Sequence, residues 1–399
     1  MKYLSVLGRQ PEISLAELSA LFTNVQKIAP SLATFESEQD PNIDRLGGSL
    51  KLAKKLDGSL TDYLFNLPDG KITIGLSDYS KKATPRTVGQ DAMKLKKILT
   101  RKGRSVRIVQ NKSTVLSTAT SHHNHLGSKE KAVEIIKINK DIYISLGTQN
   151  ITAYARRDQA RPARDAKVGM LPPKLAQILI NLCSPLPKKS RILDPFCGTG
   201  VLLQEAYLMG YTPYGTDIDA RMVEYSQKNL MWLMEGRNDV CSEEGGSRGR
   251  APKIFRSEAR IDFGKENARQ DPRSVEICQG DATTFKWSGN ISAVACETYL
   301  GQPMSQPPAE IKLKQEKQHC KEIIVGFLKN LQGQIQQGTP VVIAIPAWLR
   351  PDGTYSRLNL LDDLSNMEYN RIKESGFDDL LYYRDGQIVA RNIIILRKK

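Results

Sequence analysis

The stretch Arg191-Ile-Leu-Asp-Pro-Phe-Cys-Gly-Thr-Gly200, an apolar run that ends in Asp194 and passes straight into a glycine-rich turn, constrains the fold most. A strand that stops at a carboxylate and turns through glycine into a helix is how an open parallel sheet holds a nucleotide-like cofactor at its carboxyl edge. Gly198 and Gly200 carry no Cβ to keep backbone away from such a ligand, and Phe196 lies between them and the acid. The next run, Val201 to Leu208, reads as the helix that the turn feeds. An ordinary strand-to-helix loop is the alternative reading of a lone glycine turn.

Two more acids arrive in the order that a doubly wound sheet requires. Tyr211 to Asp217 reads as a second strand, and Asp217 stands seventeen residues after Gly200, near the spacing at which a carboxylate meets ribose hydroxyls. Ile218 follows it, with Asp219 a second ribose candidate. Ser274 to Asp281 is a third strand-like run, and Asp281, with Ala282 beside it, suits an adenine amino group. Each aspartate could instead cap a helix. The turn lacks the third glycine of a pyrophosphate-binding G-x-G-x-x-G, which argues against a dinucleotide and for S-adenosylmethionine, a cofactor with no phosphate. A two-strand pattern from Leu380 to Leu396 around Asp385-Gly386 predicts a C-terminal β-hairpin, as methyltransferases of this fold carry.

Charge points to a polyanionic partner. The formal net charge is +15, and between Lys71 and Lys112 twelve basic residues face only Asp78 and Asp91. Ala92 to Leu99 alternates apolar and basic positions as an amphipathic helix does, so Lys94, Lys97, Arg101, Lys102 and Arg104 are candidate phosphate contacts. A solvated helix face is the plainer alternative. The arginine-rich stretch from Ala155 to Arg164 reads as a linker, whose Arg156, Arg157 and Arg161 could also reach RNA.

Nearly the whole chain resembles the archaeal and eukaryotic tRNA guanosine-10 N2-methyltransferases and their bacterial relatives. The resemblance rests on Tyr3 to Leu18, on Arg161 to Gln177 and on Asp194 to Gly200. It implies a ferredoxin-like unit over 1–60, a THUMP RNA-binding domain over 61–153, a linker over 154–165 and a methyltransferase domain over 166–399. The fold class expected is therefore α/β, a Rossmann-like class I methyltransferase domain behind an α+β RNA-binding region. It further implies tRNA as substrate, S-adenosylmethionine as cofactor and, as in some relatives, a small activating protein subunit.

Relatives that methylate an exocyclic amine carry Asp or Asn, two prolines and an aromatic residue after the fourth strand. An aniline-like nitrogen keeps its lone pair in the ring, so it needs an acceptor for its N–H, a rigid turn to aim it and a surface on which the extruded base can stack. Here the fourth strand, Ile291 to Glu297, leads into Thr298-Tyr-Leu-Gly301. Glu297 takes the place of the acid, Thr298 and Tyr299 replace the prolines, and Leu300 falls where the ring should be. Glu297 as acceptor and Tyr299 as stacking surface are the catalytic candidates. Left open are a corner-capping Glu297 with a core Tyr299, a noncatalytic RNA-binding protein that keeps the cofactor fold, and methyl transfer to another RNA atom.

The remaining expectations are coarser. Residues 235–273 are rich in glycine, serine and charge and predict a mobile insertion between the second and third strands. Cys296 lies in an apolar run and reads as a buried thiol, and Trp348 as a core residue or a wall of the base pocket. His122, His123 and His125 lack cysteine or acid partners at ligand spacing, so no metal is expected. Six cysteines without a C-x-x-C pair, no signal peptide and no long apolar span predict reduced, cytoplasmic protein that does not meet a membrane.

Overall fold

Short alternating apolar runs in the first 150 residues become strands, with four helices between them. In order these are β1 (Lys2–Leu7), α1 (Pro11–Leu21), β2 (Thr23–Ala29), β3 (Leu32–Glu36), β4 (Ser49–Lys55), α2 (Leu60–Phe65) and β5 (Ile72–Asp78). Then follow α3 (Pro85–Arg101), β6 (Val106–Ile108), α4 (Thr118–His123), β7 (Ala132–Ile138) and β8 (Asp141–Thr148). The computed structural model describes residues 1–165, 170–241, 275–360, 363–364, 366–372 and 380–399. They divide into two compact units, Met1–Ile151 and Thr152–Lys399.

All eight strands of the first unit form one sheet, in the order β2-β3-β1-β4-β8-β7-β5-β6. The division expected at residue 60 is not a break in this sheet, because β4 pairs antiparallel with β8 from Lys51 opposite Thr148 to Lys55 opposite Tyr143. Splitting the chain there would leave two unpaired strand edges. The β7–β8 hairpin closes at Ile138 opposite Asp141, with Asn139 at φ +55°, a left-handed conformation that asparagine tolerates.

Helix α3 begins where its sequence says it should. Thr84 and Thr87 form a reciprocal capping box, and Pro85 sits in the first turn, where a missing N–H costs nothing. Val88, Ala92 and Leu99 face the sheet, while Lys94, Lys97, Arg101 and Lys102 are exposed. Near α4, Lys51 is 2% exposed and donates to Glu134 Oε1 at 2.6 Å, to Ser121 Oγ at 2.8 Å and to the Leu116 carbonyl at 2.8 Å. Burial holds its amine below the usual lysine value, with Glu134 opposing the shift.

The second unit alternates strands and helices. Its elements are α5 (Ile151–Gln159), α6 (Pro173–Asn181), β9 (Arg191–Asp194), α7 (Val201–Leu208), β10 (Thr212–Asp217), α8 (Ala220–Cys241), β11 (Glu276–Gln279) and β12 (Ala293–Glu297). They continue with α9 (Glu310–Gln332), β13 (Pro340–Leu349), β14 (Tyr355–Arg357), β15 (Tyr369–Ile372), β16 (Leu380–Tyr382) and β17 (Val389–Lys398). Strands β11, β10, β9, β12 and β13 lie parallel in that order, and β17 then runs antiparallel to β13. Such a nine-stranded sheet with helical crossovers is a Rossmann-like, doubly wound fold.

The expected hairpin is present as β16 and β17, paired from Leu380 opposite Ile393 to Tyr382 opposite Arg391, with Gly386 at φ +76°. Its long strand is not at the sheet's rim, because β15 pairs with β17 on the same side as β16. Two other expectations need adjusting. Residues 154–165 begin inside α5 instead of a linker, since α5 buries Ala153, Tyr154 and Arg157. Residues 235–241 of the expected insertion continue α8, and 242–273 lie outside the described residues. Trp348, on β13, is a fully buried core side chain, the first of its two expected readings. No described helix is long and apolar enough to cross a membrane.

Candidate active site

The connections from β9 and β12 leave the sheet in opposite directions, toward β10 on one side and β13 on the other. A crevice opens at such a point, outside the carboxyl ends of the two strands. The residues there are Asp194, ending β9, and Glu297, ending β12. Asp217 ends the neighbouring β10, with Gly215 in register with Asp194.

The turn after β9 brings these groups together. Asp194 Oδ1 accepts from the Phe196 N–H at 3.2 Å, and Asp217 Oδ2 accepts from the Gly198 N–H at 2.8 Å. Gly200 adopts φ +78° and its missing Cβ would stand 2.8 Å from Ser226 Oγ and 3.0 Å from Ser226 Cα, so only glycine fits. Gly198 adopts φ +50° with open space where its Cβ would be, apart from the Phe196 carbonyl at 4.0 Å. Phe196 packs edge-on against Phe327 of α9, at 5.2 Å between centroids.

Asp194 is 3% exposed. Burial, opposed by its bond from Phe196 and reinforced by Asp217 and Glu297, lifts its carboxyl well above the usual range. Burial also raises Asp217, with the backbone bonds from Asp219 and Gly198 opposing. Neither acid has a cationic partner among the described residues. A buried carboxylate, Asp194, and a half-buried one, Asp217, neither with a counter-charge, suit a ligand that brings positive charge, as the sulfonium and ammonium of S-adenosylmethionine would. Ile218, beside Asp217, is 67% exposed and presents an apolar surface at the lip. The residues present therefore fit that cofactor, which Asp194 would meet at the amino-acid arm, Asp217 at the ribose and Ile218 at the base.

Asp281 and Ala282 are placed less decisively. Asp281 Oδ1 accepts from Thr283 N at 2.9 Å and Thr283 Oγ1 at 2.7 Å, a turn-capping role, and Ala282 is buried with its carbonyl accepting from Asn330. Asp219 caps α8 through the Arg221 N–H at 2.8 Å, the plainer of its two readings.

Glu297 has a partner that sequence reading missed. Arg391, on β17, donates from Nε to Glu297 Oε1 at 2.6 Å, and both side chains are nearly buried, at 4% and 12% exposure. Burial works against the Arg391 charge, yet the contact with Glu297 outweighs it and raises the guanidinium further. The signal was visible in principle: Arg391-Asn392 interrupts an otherwise apolar strand run, where a charge must have a reason.

The departure from the proline-containing turn also acquires a physical account. Thr298 donates to the Ala344 carbonyl from both N, at 3.0 Å, and Oγ1, at 3.3 Å, and Gly301 takes φ +87°. Hydrogen bonds and a left-handed glycine thus fix a corner that prolines would fix by ring closure. Tyr299 is half-buried, its ring edge-on to His319 at 5.6 Å and its hydroxyl accepting from Gln302 Nε2 at 3.1 Å. Cys296 is fully buried, and burial raises its thiol well above the ordinary range, as befits a core thiol.

Three of the proposed RNA contacts are corrected by burial. Arg104 is 8% exposed and donates to the Leu67 and Pro68 carbonyls, tying the end of α3 to the loop before β5. Arg157 is 3% exposed and pairs with buried Glu205 of α7 at 2.5 Å. Arg161 is also 3% exposed and reaches Thr199. Each is an arginine enclosed by the protein and not a free surface charge. Arg156 is half-exposed, over the Trp232 ring at 5.4 Å.

Residues 161–319 match the model of the UPF0020 family, described as an RMKL-like methyltransferase domain. The chain is similar to the tRNA (guanine(10)-N2)-dimethyltransferase of Methanothermobacter thermautotrophicus, at 51% identity over 75 residues, 18% of this chain and 22% of that one. It is similar to the protein of the same name from Methanocaldococcus jannaschii, at 29% identity over 127 residues, 32% and 36% of the two chains. The matched stretches thus span about a fifth of the first relative and about a third of the second. The crystal structure of TrmN from Thermus thermophilus aligns over the whole of both chains at 14% identity, with a TM-score of 0.47. Over residues 161–319, then, the chain is similar to the methyltransferase domain that the UPF0020 family model describes.

Proposed function

We propose that the chain is an S-adenosylmethionine-dependent tRNA methyltransferase acting on the exocyclic N2 of a guanosine, position 10 by similarity to its named relatives. The observation that carries the reading is the pair of strand-end acids at the sheet's switch point, one buried without a counter-charge and one held by arginine. When bound, the cofactor supplies a methyl group already activated on sulfonium sulfur. Asp194 balances the positive charge of that ligand, and Asp217 receives its ribose.

Glu297 accepts an N–H of the target amine with the oxygen that Arg391 leaves free, which points the nitrogen lone pair away from the protein and toward the methyl. The proton left on nitrogen after transfer passes to Glu297 or to solvent. Tyr299 offers the aromatic surface beside this acceptor. The exposed lysines and arginine of α3, with Arg156, supply phosphate contacts, and these are the RNA-binding residues that remain after burial is considered.

Incubating the protein with labelled S-adenosylmethionine and unmodified tRNA, followed by nucleoside mass spectrometry, tests the reading. N2-methylguanosine supports it, and Glu297→Gln abolishes the product while leaving adenosylhomocysteine bound. Any other methylated nucleoside moves the target atom, as the Thr298-Tyr299-Leu300 departure would allow. No product, with cofactor binding intact, makes the chain an RNA-binding protein.

A further inference from the structure

Arg161 carries a buried charge that the described protein does not balance. It makes no ion pair with any described carboxylate, whereas Arg157, four residues earlier, has Glu205. Its Nη1 donates to Thr199 Oγ1 at 3.4 Å and its Nη2 to Met170 Sδ at 3.3 Å, and its Nε, although buried, has no partner. Burial pulls the guanidinium below its ordinary value, but arginine remains a cation. A buried cation with one neutral oxygen contact and one thioether contact is poorly compensated, unlike the saturated Lys51.

Its position says what would compensate it. Thr199 stands between Gly198 and Gly200, and Gly200 is the cap of α7, a helix of eight residues that begins without any side-chain cap. The first-turn N–H groups of such a helix and its dipole favour an anion. At the other end of the same turn lies Asp194, a buried acid without a cation. An acid at one end of this turn and a base that reaches it at Thr199 are thus each without an ion-pair partner among the described residues and do not neutralise each other. The amino-acid arm of a zwitterionic ligand carries both complements.

We propose that Arg161, with the N-terminus of α7, binds the α-carboxylate of the cofactor's methionine arm while Asp194 takes its ammonium. The proposal rests on the cofactor assigned above and makes Arg161 a determinant of which adenosine compounds the site accepts.

Calorimetry on the full chain compares adenosylhomocysteine with its decarboxylated analogue and with 5′-methylthioadenosine, which has no amino-acid arm. The wild-type protein is expected to bind adenosylhomocysteine about 10- to 100-fold tighter than the decarboxylated compound, the worth of one charge-assisted contact. Arg161→Gln should erase that preference with 5′-methylthioadenosine binding unchanged, and Arg161→Lys should restore part of it. Equal affinity of the wild type for the first two compounds overturns the assignment without need of any variant. So does loss of all three ligands together in Arg161→Gln, which would mark a purely structural residue. If the wild type binds no adenosine compound, the cofactor reading itself fails; if it binds them without regard to the carboxylate, only Arg161 does.

Discussion

The contact between Arg391 and Glu297 decides how the candidate acceptor behaves. A carboxylate at 12% exposure beside another buried acid needs a cation, and Arg391 at 2.6 Å supplies it. Arg391→Met should therefore destabilise the protein by about 3 kcal/mol in urea denaturation, and adding Glu297→Gln should recover much of the loss by removing the stranded charge. A double variant no more stable than Arg391→Met would mean that the arginine acts through packing alone. Asp194 makes a second prediction, in pH. Its folded carboxyl sits well above the unfolded value, so its contribution to stability is fully present below about pH 4 and is lost as the pH rises through the folded value. Thermal melts of the ligand-free protein should show this loss above the ordinary carboxylate range, and Asp194→Asn should flatten it.

At the scale of elements, the turn from β9 to α7 is the least substitutable segment. Gly200→Ala forces a left-handed alanine whose Cβ would meet Ser226 Cα at 3.0 Å, and a melting experiment should report a loss of about 1–3 kcal/mol together with weaker adenosylhomocysteine binding. This turn was legible in the sequence because its chemistry is local: apolar run, acid, glycine, helix. So were β17 and the β7–β8 hairpin, where alternation or a continuous apolar run meets a turn residue. What could not be read were contacts between distant positions. Glu297 and Arg391 are 94 residues apart. Arg104, Arg157 and Arg161 looked like surface charge because composition gives no account of burial, and each is enclosed by a segment far along the chain or by a neighbouring helix. The unbroken pairing of β4 with β8 was hidden for the same reason, since strand edges carry no label in the sequence.

For the whole molecule, the basic surface of α3 should govern RNA affinity without touching the chemistry. Replacing Lys94, Lys97, Arg101 and Lys102 together with glutamate should weaken tRNA binding and make the slope of log K against log salt shallower by about 3–4. Adenosylhomocysteine affinity should stay unchanged, and an unaltered salt slope would mean that RNA docks elsewhere. The order of assembly is a separate matter, and it follows from where β17 sits. This strand is inserted between β13 and β15, and it is made on the ribosome after every other strand of its sheet. Until it docks, β13 has an open side and Glu297 lacks its arginine. A nascent or clipped polypeptide lacking this strand therefore leaves one side of β13 unpaired and the Glu297 carboxylate without its counter-charge.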